Sequence, residues 1–397
     1  MMARSVTFTL FFLAVFLQAG AYGLTFMLPK LFSVFHADEK TVGMMLFITT
    51  LSTLFFVYYA GHLADKIGRV QTLSIGCLSI AVALLLYGSA NSISVEIVLA
   101  SILLGAGWGL TYSLIPIALT TIVEDHERVR YFSLYSVFLM AGFGLSPVMA
   151  SFLEGQGFVI AESFYIIAIF CFLSAFIFFI LSGPVKNLAV NPKANPKSSL
   201  TLGAIKSILN TKALLPIVMV WLGASVFAGM NNFQSVFAEE RGLNYSDFFL
   251  YYTITVVICR VLLAKFKGGN NPYAIIATLQ YIMCGSVILF IVSGASQELY
   301  ALVAVLFGIG YGASYPVLAA MAANDAEPDL LPQTLQVFAF TYFIGIFGFP
   351  LIAGWFIVEI SITSLLILVA ALAAIEATLA MRRAVTQKKS LVVKPSV

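Results

Sequence analysis

Two short stretches concentrate the side chains best suited to holding a ligand. GAGWGLTY (Gly105–Tyr112) sets Trp108 and Tyr112 four residues apart, and GIGYGASY (Gly308–Tyr315) does the same with Tyr311 and Tyr315. Residues four apart share one face of a helix. Each pair is therefore a stripe of rings with polar edges, able to stack on an apolar body and to hydrogen-bond with it. Gln18 and Tyr22 repeat the spacing near the N-terminus, and Asn231, Asn232 and Gln234 form a cluster of amides. An amide in hydrocarbon needs a partner, since an unsatisfied polar group there is costly. These amides suit hydrogen bonding to a polar solute, and equally to neighbouring helices. Two charges, Arg260 and Glu376, fall within apolar segments towards their ends. An ion in such a place is a functional candidate, although a long arginine near a helix end can snorkel to the surface. No nucleophile–base pair is legible, and His36, His62 and His126 are expected in loops. Cys77, Cys171, Cys259 and Cys284 all fall in apolar stretches and read as small hydrophobes. No metal spacing, disulfide framework or cofactor site is expected, and an enzyme is disfavoured.

The elements that position these residues follow from composition. The chain of 397 residues is 61% hydrophobic and 10% charged, with mean hydropathy +1.00. A soluble domain is nearer about 45–50% apolar and about 25% charged. The class is therefore an integral membrane protein. Its apolar stretches are long and do not alternate, which predicts helices and not a β-barrel. Twelve spans are expected, near 6–28, 42–62, 70–90, 94–118, 131–153, 162–182, 213–237, 246–266, 273–293, 299–321, 333–357 and 360–381. Arg4, the apolar run after it and Ala19-Gly20-Ala21 also fit a cleaved leader. Removing that segment would leave eleven spans and break the symmetry below, so it is expected to remain as the first span.

Lysine and arginine set the orientation. Apart from Arg260, only Lys30, Lys40 and Arg241 fall on the side opposite the termini, while the others, from Arg4 to Lys394, fall on the same side as the termini. Both termini are thus expected in the cytoplasm. The net charge of +3 reports this topology and implies no nucleic-acid partner. Gly183–Lys212, with three prolines, five lysines and no acid, reads as a cytoplasmic linker carrying a short surface helix near Leu202–Leu209. The expected division is 1–182, a linker 183–212, and 213–397, with six spans in each half.

The halves repeat. Gly105 recurs as Gly308 and Pro147 as Pro350, both at an offset of 203; GFGLSPVMA (Gly142–Ala150) answers GIFGFPLIA (Gly345–Ala353), and Ser33-Val34-Phe35 answers Ser235-Val236-Phe237. Parallel repeats of this kind hold a substrate between them near mid-membrane. Gly105 with Gly109, and Gly308 with Gly312, give small-x-x-x-small faces for close helix packing, and Ser101 extends the first.

Between spans 2 and 3 stands Gly61-His62-Leu63-Ala64-Asp65-Lys66-Ile67-Gly68-Arg69. This G-x-x-x-D-[RK]-x-G-[RK] pattern resembles the signature loop of the major facilitator superfamily, and with the twelve spans and the repeat the resemblance covers residues 6–381. It implies an all-α membrane fold of two pseudo-symmetric six-helix bundles. It also implies that spans 1, 4, 7 and 10 line a central cavity, so that Gln18, Tyr22, Trp108, Tyr112, Asn231, Asn232, Gln234, Tyr311 and Tyr315 are the expected lining. It further implies a cytoplasmic latch of the outward-open state. There Asp65 faces the N-terminus of span 11, an anion-attracting place, and Arg69 pairs with Glu124 or Asp125. Gly61 is expected to allow close helix approach and Gly68 a tight turn. In the second half Ala264-Lys265-Phe266-Lys267-Gly268 replaces Gly61–Asp65, so the latch is one-sided.

Phe237–Leu243, then Phe248-Phe249-Leu250-Tyr251-Tyr252 and Arg260, resemble a bacterial subgroup of sugar-efflux-type permeases and opine-metallophore exporters. That resemblance implies efflux and a structural, helix-end role for Arg260. Two departures weaken drug–proton antiport. Ser101 stands where proton-coupled exporters often carry arginine, and Ser146, Ala150 and Ser151 replace glycines around Pro147. The expected protein is a monomeric, multi-pass transporter of the bacterial inner membrane. It would export a small organic molecule by alternating access, with protons as the candidate coupling ion and the lipid bilayer as its other partner. Uptake or facilitated diffusion of a polar metabolite is the alternative, and a non-transporting sensor or scaffold a remote one.

Overall fold

A computed structural model describes residues 4–124, 127–188, 201–263 and 271–392. The chain begins with α1 (Arg4–Thr25), α2 (Leu28–Ser33), α3 (Glu39–Ile67), α4 (Arg69–Ser89), α5 (Val95–Ile122), α6 (Arg128–Gly155) and α7 (Ile160–Asn187). After the short α8 (Leu202–Ile208) come α9 (Leu214–Asn231), α10 (Gln234–Glu240), α11 (Tyr245–Leu263), α12 (Pro272–Val292), α13 (Gln297–Asn324), α14 (Leu331–Phe343), α15 (Phe349–Glu359) and α16 (Ile362–Val392). Twelve helical segments are long and apolar enough to cross a membrane, α14 and α15 together making one of them. Exposed side chains such as Phe152, Phe176 and Phe179 make an outer face suited to lipid. Twelve crossings return the chain to its starting side, called here the terminal side; the opposite face is the far side.

Polar residues mark where several helices start. Asp38 accepts from the Thr41 N–H at 3.0 Å, and Ser94, Asn271 and Ser296 cap α5, α12 and α13 in the same manner. Gly68 sits at φ +100°, a conformation rarely open to other residues, and turns α3 directly into α4. The first helix of each half stops earlier than hydropathy suggests and re-forms as a short helix, α2 or α10. Pro29 starts the former. Before the latter, the Asn231 and Asn232 amides bond back to the Phe227 and Ala228 carbonyls and end α9.

α1 packs on α6 and α7, and α4 on α5 and α7, to form the first bundle; α12 with α13 and α16, and α9 with α16, form the second. The bundles meet along α3–α15 and α6–α11. The glycine motifs do their packing within each bundle. A methyl on Gly109 would sit 2.7 Å from the Thr53 carbonyl of α3, and one on Gly107 2.5 Å from the Gly76 carbonyl of α4. In the second half Gly308 and Gly312 meet Thr255 and Val256 of α11, while Gly310 meets Met283 of α12. The middle glycine of each motif thus packs on a different helix from the outer two.

One expected placement changes. Glu376 was expected close to the terminal-side end of the last span, but α16 runs on to Val392, so Glu376 lies near the middle of a 31-residue helix and is fully buried. The helix outlasts the apolar run because Arg382 and Arg383 continue it as polar turns.

Candidate functional site

The expected aromatic stripes meet between the bundles. The Tyr22 ring lies 5.1 Å from Trp108, 4.4 Å from Phe143 and 5.5 Å from Phe347 across the seam. Phe26 stacks on Phe249 at 5.4 Å and reaches Phe227 at 6.0 Å, and Phe227 stacks on Tyr311 at 4.5 Å. These contacts form one cage of rings with walls from both halves. Its polar edges are unspent. The Tyr22 and Tyr252 hydroxyls, Trp108 Nε1, Gln18 Oε1 and Asn231 Oδ1 are buried without a hydrogen-bond partner. The Tyr311 hydroxyl lies near Tyr342 yet makes no hydrogen bond of normal geometry. Buried polar groups are almost always paired, so these orphaned atoms are donors and acceptors left to spare.

Tyr112 and Tyr315, equivalent residues of the two repeats, donate and accept one bond across the seam at 2.6 Å. Tyr342 lies 6.0 Å from Tyr112 and 4.9 Å from Tyr315. The amides divide. Gln18, Asn231 and Gln234 each bury an orphaned amide oxygen; the Asn231 amide nitrogen bonds back to Phe227 one turn earlier, and that of Gln234 donates to Tyr300 at 2.8 Å within its own bundle. Asn232 spends its amide nitrogen on its own helix. Phe143, Phe227, Phe347, Tyr252 and Tyr342 complete the cage and are not among the lining residues expected from the sequence. A signal existed for two: Phe143 and Phe347 stand in the mirrored proline stretches.

The far side is closed. Lys40 pairs with Glu359, Tyr245 donates to Glu154 at 2.6 Å, and the Ser151 hydroxyl donates to Asn244 at 3.3 Å, each bond joining the two bundles. Gly43 packs against the Pro350 carbonyl so closely that a methyl there would overlap it. Pro350 follows a π-helical turn, Ile344–Gly348, while its counterpart Pro147 lies inside the unbroken α6. A cleft of about 470 Å³ lies on this closed seam, lined by Lys30, Glu154 and Tyr245 among others. The aromatic cage is itself filled by its touching rings. Burial lowers the affinity of the far-side Arg241 guanidinium for its proton; Arg241 donates to the Phe290 carbonyl.

On the terminal side, Asp65 and Lys66 are exposed, and Asp65 makes no hydrogen bond or ion pair among the described residues. Arg69 and Glu124 are each engaged with a neighbour. Asp125 and the replacement stretch Ala264–Gly268 lie outside the described residues. Gly61 has no atom within 4 Å of where its Cβ would be, so the close approach expected of it is not made in this conformation.

The two intramembrane charges are both in the second bundle. Arg260 does not snorkel. Its Nε donates to the Gly312 carbonyl at 2.8 Å and its Nη1 to Ser136 Oγ of the other bundle at 2.7 Å. Glu376 Oε1 accepts from Gln280 Nε2 at 2.6 Å, and both of its carboxylate oxygens face Gly223 of α9. Glu376 Oε2 and Gln280 Oε1 are both left without partners. No cluster of His, Cys, Asp and Glu among the described residues could hold a metal.

A sequence model described as Major Facilitator Superfamily matches residues 10–350. Among solved structures, the nucleoside transporter NupG superposes with TM-score 0.74 at 16% identity, covering 95% of this chain and 98% of that one. The peptide transporter POT, in complex with sulfate, gives 0.73 at 14% identity, with 95% and 94% covered. The human organic anion transporter MFSD10 (TETRAN) gives 0.66 at 14% identity, with 96% and 100% covered. No curated protein sequence matches the chain.

Proposed function

The chain belongs to the major facilitator superfamily and is a transmembrane transporter, and from that premise we propose that it exports a small organic solute across the bacterial inner membrane in exchange for protons. The observation that carries the solute site is the cage between the bundles, with its orphaned Tyr22, Trp108, Tyr252, Tyr311, Gln18 and Asn231 atoms. Rings stack on a flat or apolar body, and the orphaned edges hydrogen-bond to its polar groups. The superposed transporters are named for nucleosides, peptides and organic anions. All are small solutes with both apolar and polar parts, which this cage suits.

Alternation follows from where the seam is held. In the present conformation the far side is pinned by Lys40–Glu359 and Tyr245–Glu154, and the terminal-side Asp65 has no partner among the described residues. In the opposite conformation Asp65 and Arg69 close the terminal side by engaging the start of α14 and Glu124 or Asp125. The cage is then exposed first to one face and then to the other. The lysine and arginine bias makes the terminal side cytoplasmic. The subgroup-like stretch Phe237–Leu243 with Phe248–Tyr252 supports export.

Glu376 supports proton coupling. A carboxyl sealed in a bundle with no cation beside it is a place where a proton can be held. The leftover Glu376 Oε2 and Gln280 Oε1 atoms become complementary when the carboxyl carries a proton to donate. Gly223 ties this pair to α9, whose Phe227, one turn on, stacks in the cage. A second reading, facilitated diffusion, is favoured by one observation: among the described residues no acid lines the cage.

The test uses everted vesicles with an acidic interior and a pH dye, challenged with opines, sugars, nucleosides and aromatic acids. Solute-dependent collapse of the gradient, missing in vesicles without the protein, is expected. Equilibration of labelled solute with no collapse would replace antiport by facilitated diffusion. A folded, reconstituted protein that moves no solute of a broad panel would overturn the cage assignment as well.

A further inference from the structure

We propose that Arg260 is the anion subsite of the central cavity, receiving the carboxylate of an aromatic or planar organic acid whose ring lies in the cage. The inference deepens the solute-site reading and rests on it. Among the described residues Arg260 forms no ion pair, although it lies well inside the seam. Ser136, its partner in α6, is eight residues from that helix's start, about 12 Å in. Gly312, its partner in α13, is twelve residues from that helix's end, about 18 Å in. Arg260 is itself only partly buried, so solvent or a solute can reach it, and a guanidinium between helices without a counter-ion is usually compensated by an anion or carbonyl groups. One carbonyl and one hydroxyl occupy Nε and Nη1, and Nη2 has no hydrogen-bond partner among the described residues. A planar fork with a free edge is suited to a carboxylate oxygen pair.

The surroundings complete a receptor for one negative charge. Tyr315 lies with its ring centroid 5.8 Å from the guanidinium carbon, and its hydroxyl is joined to that of Tyr112. The one fully buried acid among the described residues, Glu376, is committed to Gln280 inside the second bundle and does not compete. Distance sets the solute's length. Gly312 adjoins Tyr311, whose ring stacks in the cage, and Tyr315 is one turn beyond Tyr311, about 6 Å further along the axis. A small solute with one ring and a nearby carboxylate is the class these neighbouring places suit. This assignment replaces the helix-end structural role that the subgroup resemblance implied for Arg260.

The test compares phenylacetate with phenylacetamide, which match in shape and differ in charge, by thermal shift and Trp fluorescence titration on the purified full-length protein. Wild type should bind phenylacetate at least about tenfold more tightly. Arg260→Gln should abolish that preference, bringing phenylacetate down to the affinity of phenylacetamide, and Arg260→Lys should keep part of it. Equal binding of the two probes by wild type overturns the anion subsite and leaves the aromatic cage standing. Binding of neither at millimolar concentration, in protein shown to be folded, overturns both. The wild-type comparison needs no variant, so a misfolded Arg260→Gln protein does not blunt it.

Discussion

The two bundles are copies that have kept their packing and divided their chemistry. Gly105, Gly107 and Gly109 do in the first what Gly308, Gly310 and Gly312 do in the second, meeting the second and third spans of their own half. The charges are not shared. Arg260 and Glu376 both lie in the second bundle, and the first holds the signature loop with Asp65. Backbone continuity differs too. Pro147 is accommodated inside α6, whereas the chain before Pro350 loosens into a π-turn. Close helix packing tolerates little change in volume, so duplicated glycines persist. A buried charge is costly in either copy, so one site for each function suffices. On the proposed reading the first bundle would supply the latch and the second the proton and anion chemistry, while rings from both form the cage.

The largest expected effect strikes the second bundle alone. Glu376→Gln should abolish gradient-driven transport while leaving solute counterflow, because an amide holds no exchangeable proton charge. Its counterpart in the repeat, Leu173, is exposed on the outer face, so Leu173→Ala should change neither assay. Wild-type antiport by Glu376→Gln in vesicles would remove proton chemistry from this bundle. The next effect should be symmetric. Gly107→Ala and Gly310→Ala each drive a methyl to 2.5–2.7 Å from a backbone atom of the neighbouring helix, and overpacking of this kind costs about 1–3 kcal/mol. Similar falls in detergent melting temperature are expected. A large fall in only one would show that the copies no longer pack alike.

A smaller, one-sided loss is expected for the latch. Asp65→Asn should slow exchange about tenfold, or ~1.4 kcal/mol on the barrier, with unchanged expression. Asp65 is exposed in the present conformation, so the substitution should leave stability alone and act only on the conformation in which the terminal side closes. Equal transport by mutant and wild type would leave the signature loop with no more than a topological role.

Much of this was legible in the sequence, for reasons that differ by residue. The spans and the six-plus-six repeat follow from hydropathy and from one offset shared by Gly308 and Pro350. The cage was half legible. Trp108 and Tyr311 announce themselves beside glycines, while Phe227 and Tyr252 look like any other ring in an apolar helix until the bundles are assembled. Of the two roles open to the Gln234 amide, bonding a neighbouring helix is the one its nitrogen takes here, with Tyr300, and spacing along α9 says nothing of the break before α10 that sets this direction. Glu376 was placed too near an end because hydropathy marks where lipid stops and not where a helix stops. Arg260 was read as able to snorkel; its direction depends on Ser136, in the other half of the chain.

The smallest predicted effect is also the sharpest probe of the symmetry. Trp108 and Tyr311 occupy equivalent places in the repeated motifs, but their surroundings are not equivalent. Trp108 meets Tyr22 and Phe143 of its own bundle, with an orphaned Nε1. Tyr311 stacks on Phe227 and Phe307, and the carbonyl of its neighbour Gly312 holds Arg260. An aromatic contact is worth about 0.5–1.5 kcal/mol beyond its area, so Trp108→Ala and Tyr311→Ala should each weaken solute binding by roughly two- to tenfold. The two should differ in kind. Trp108→Ala should weaken phenylacetate and phenylacetamide alike, whereas Tyr311→Ala should weaken phenylacetate more, because the support of the Arg260 platform is disturbed along with the ring. Matching losses for both probes in both variants would make the cage as symmetric as the glycines that hold it. Unaltered binding in both would place the solute elsewhere in the seam.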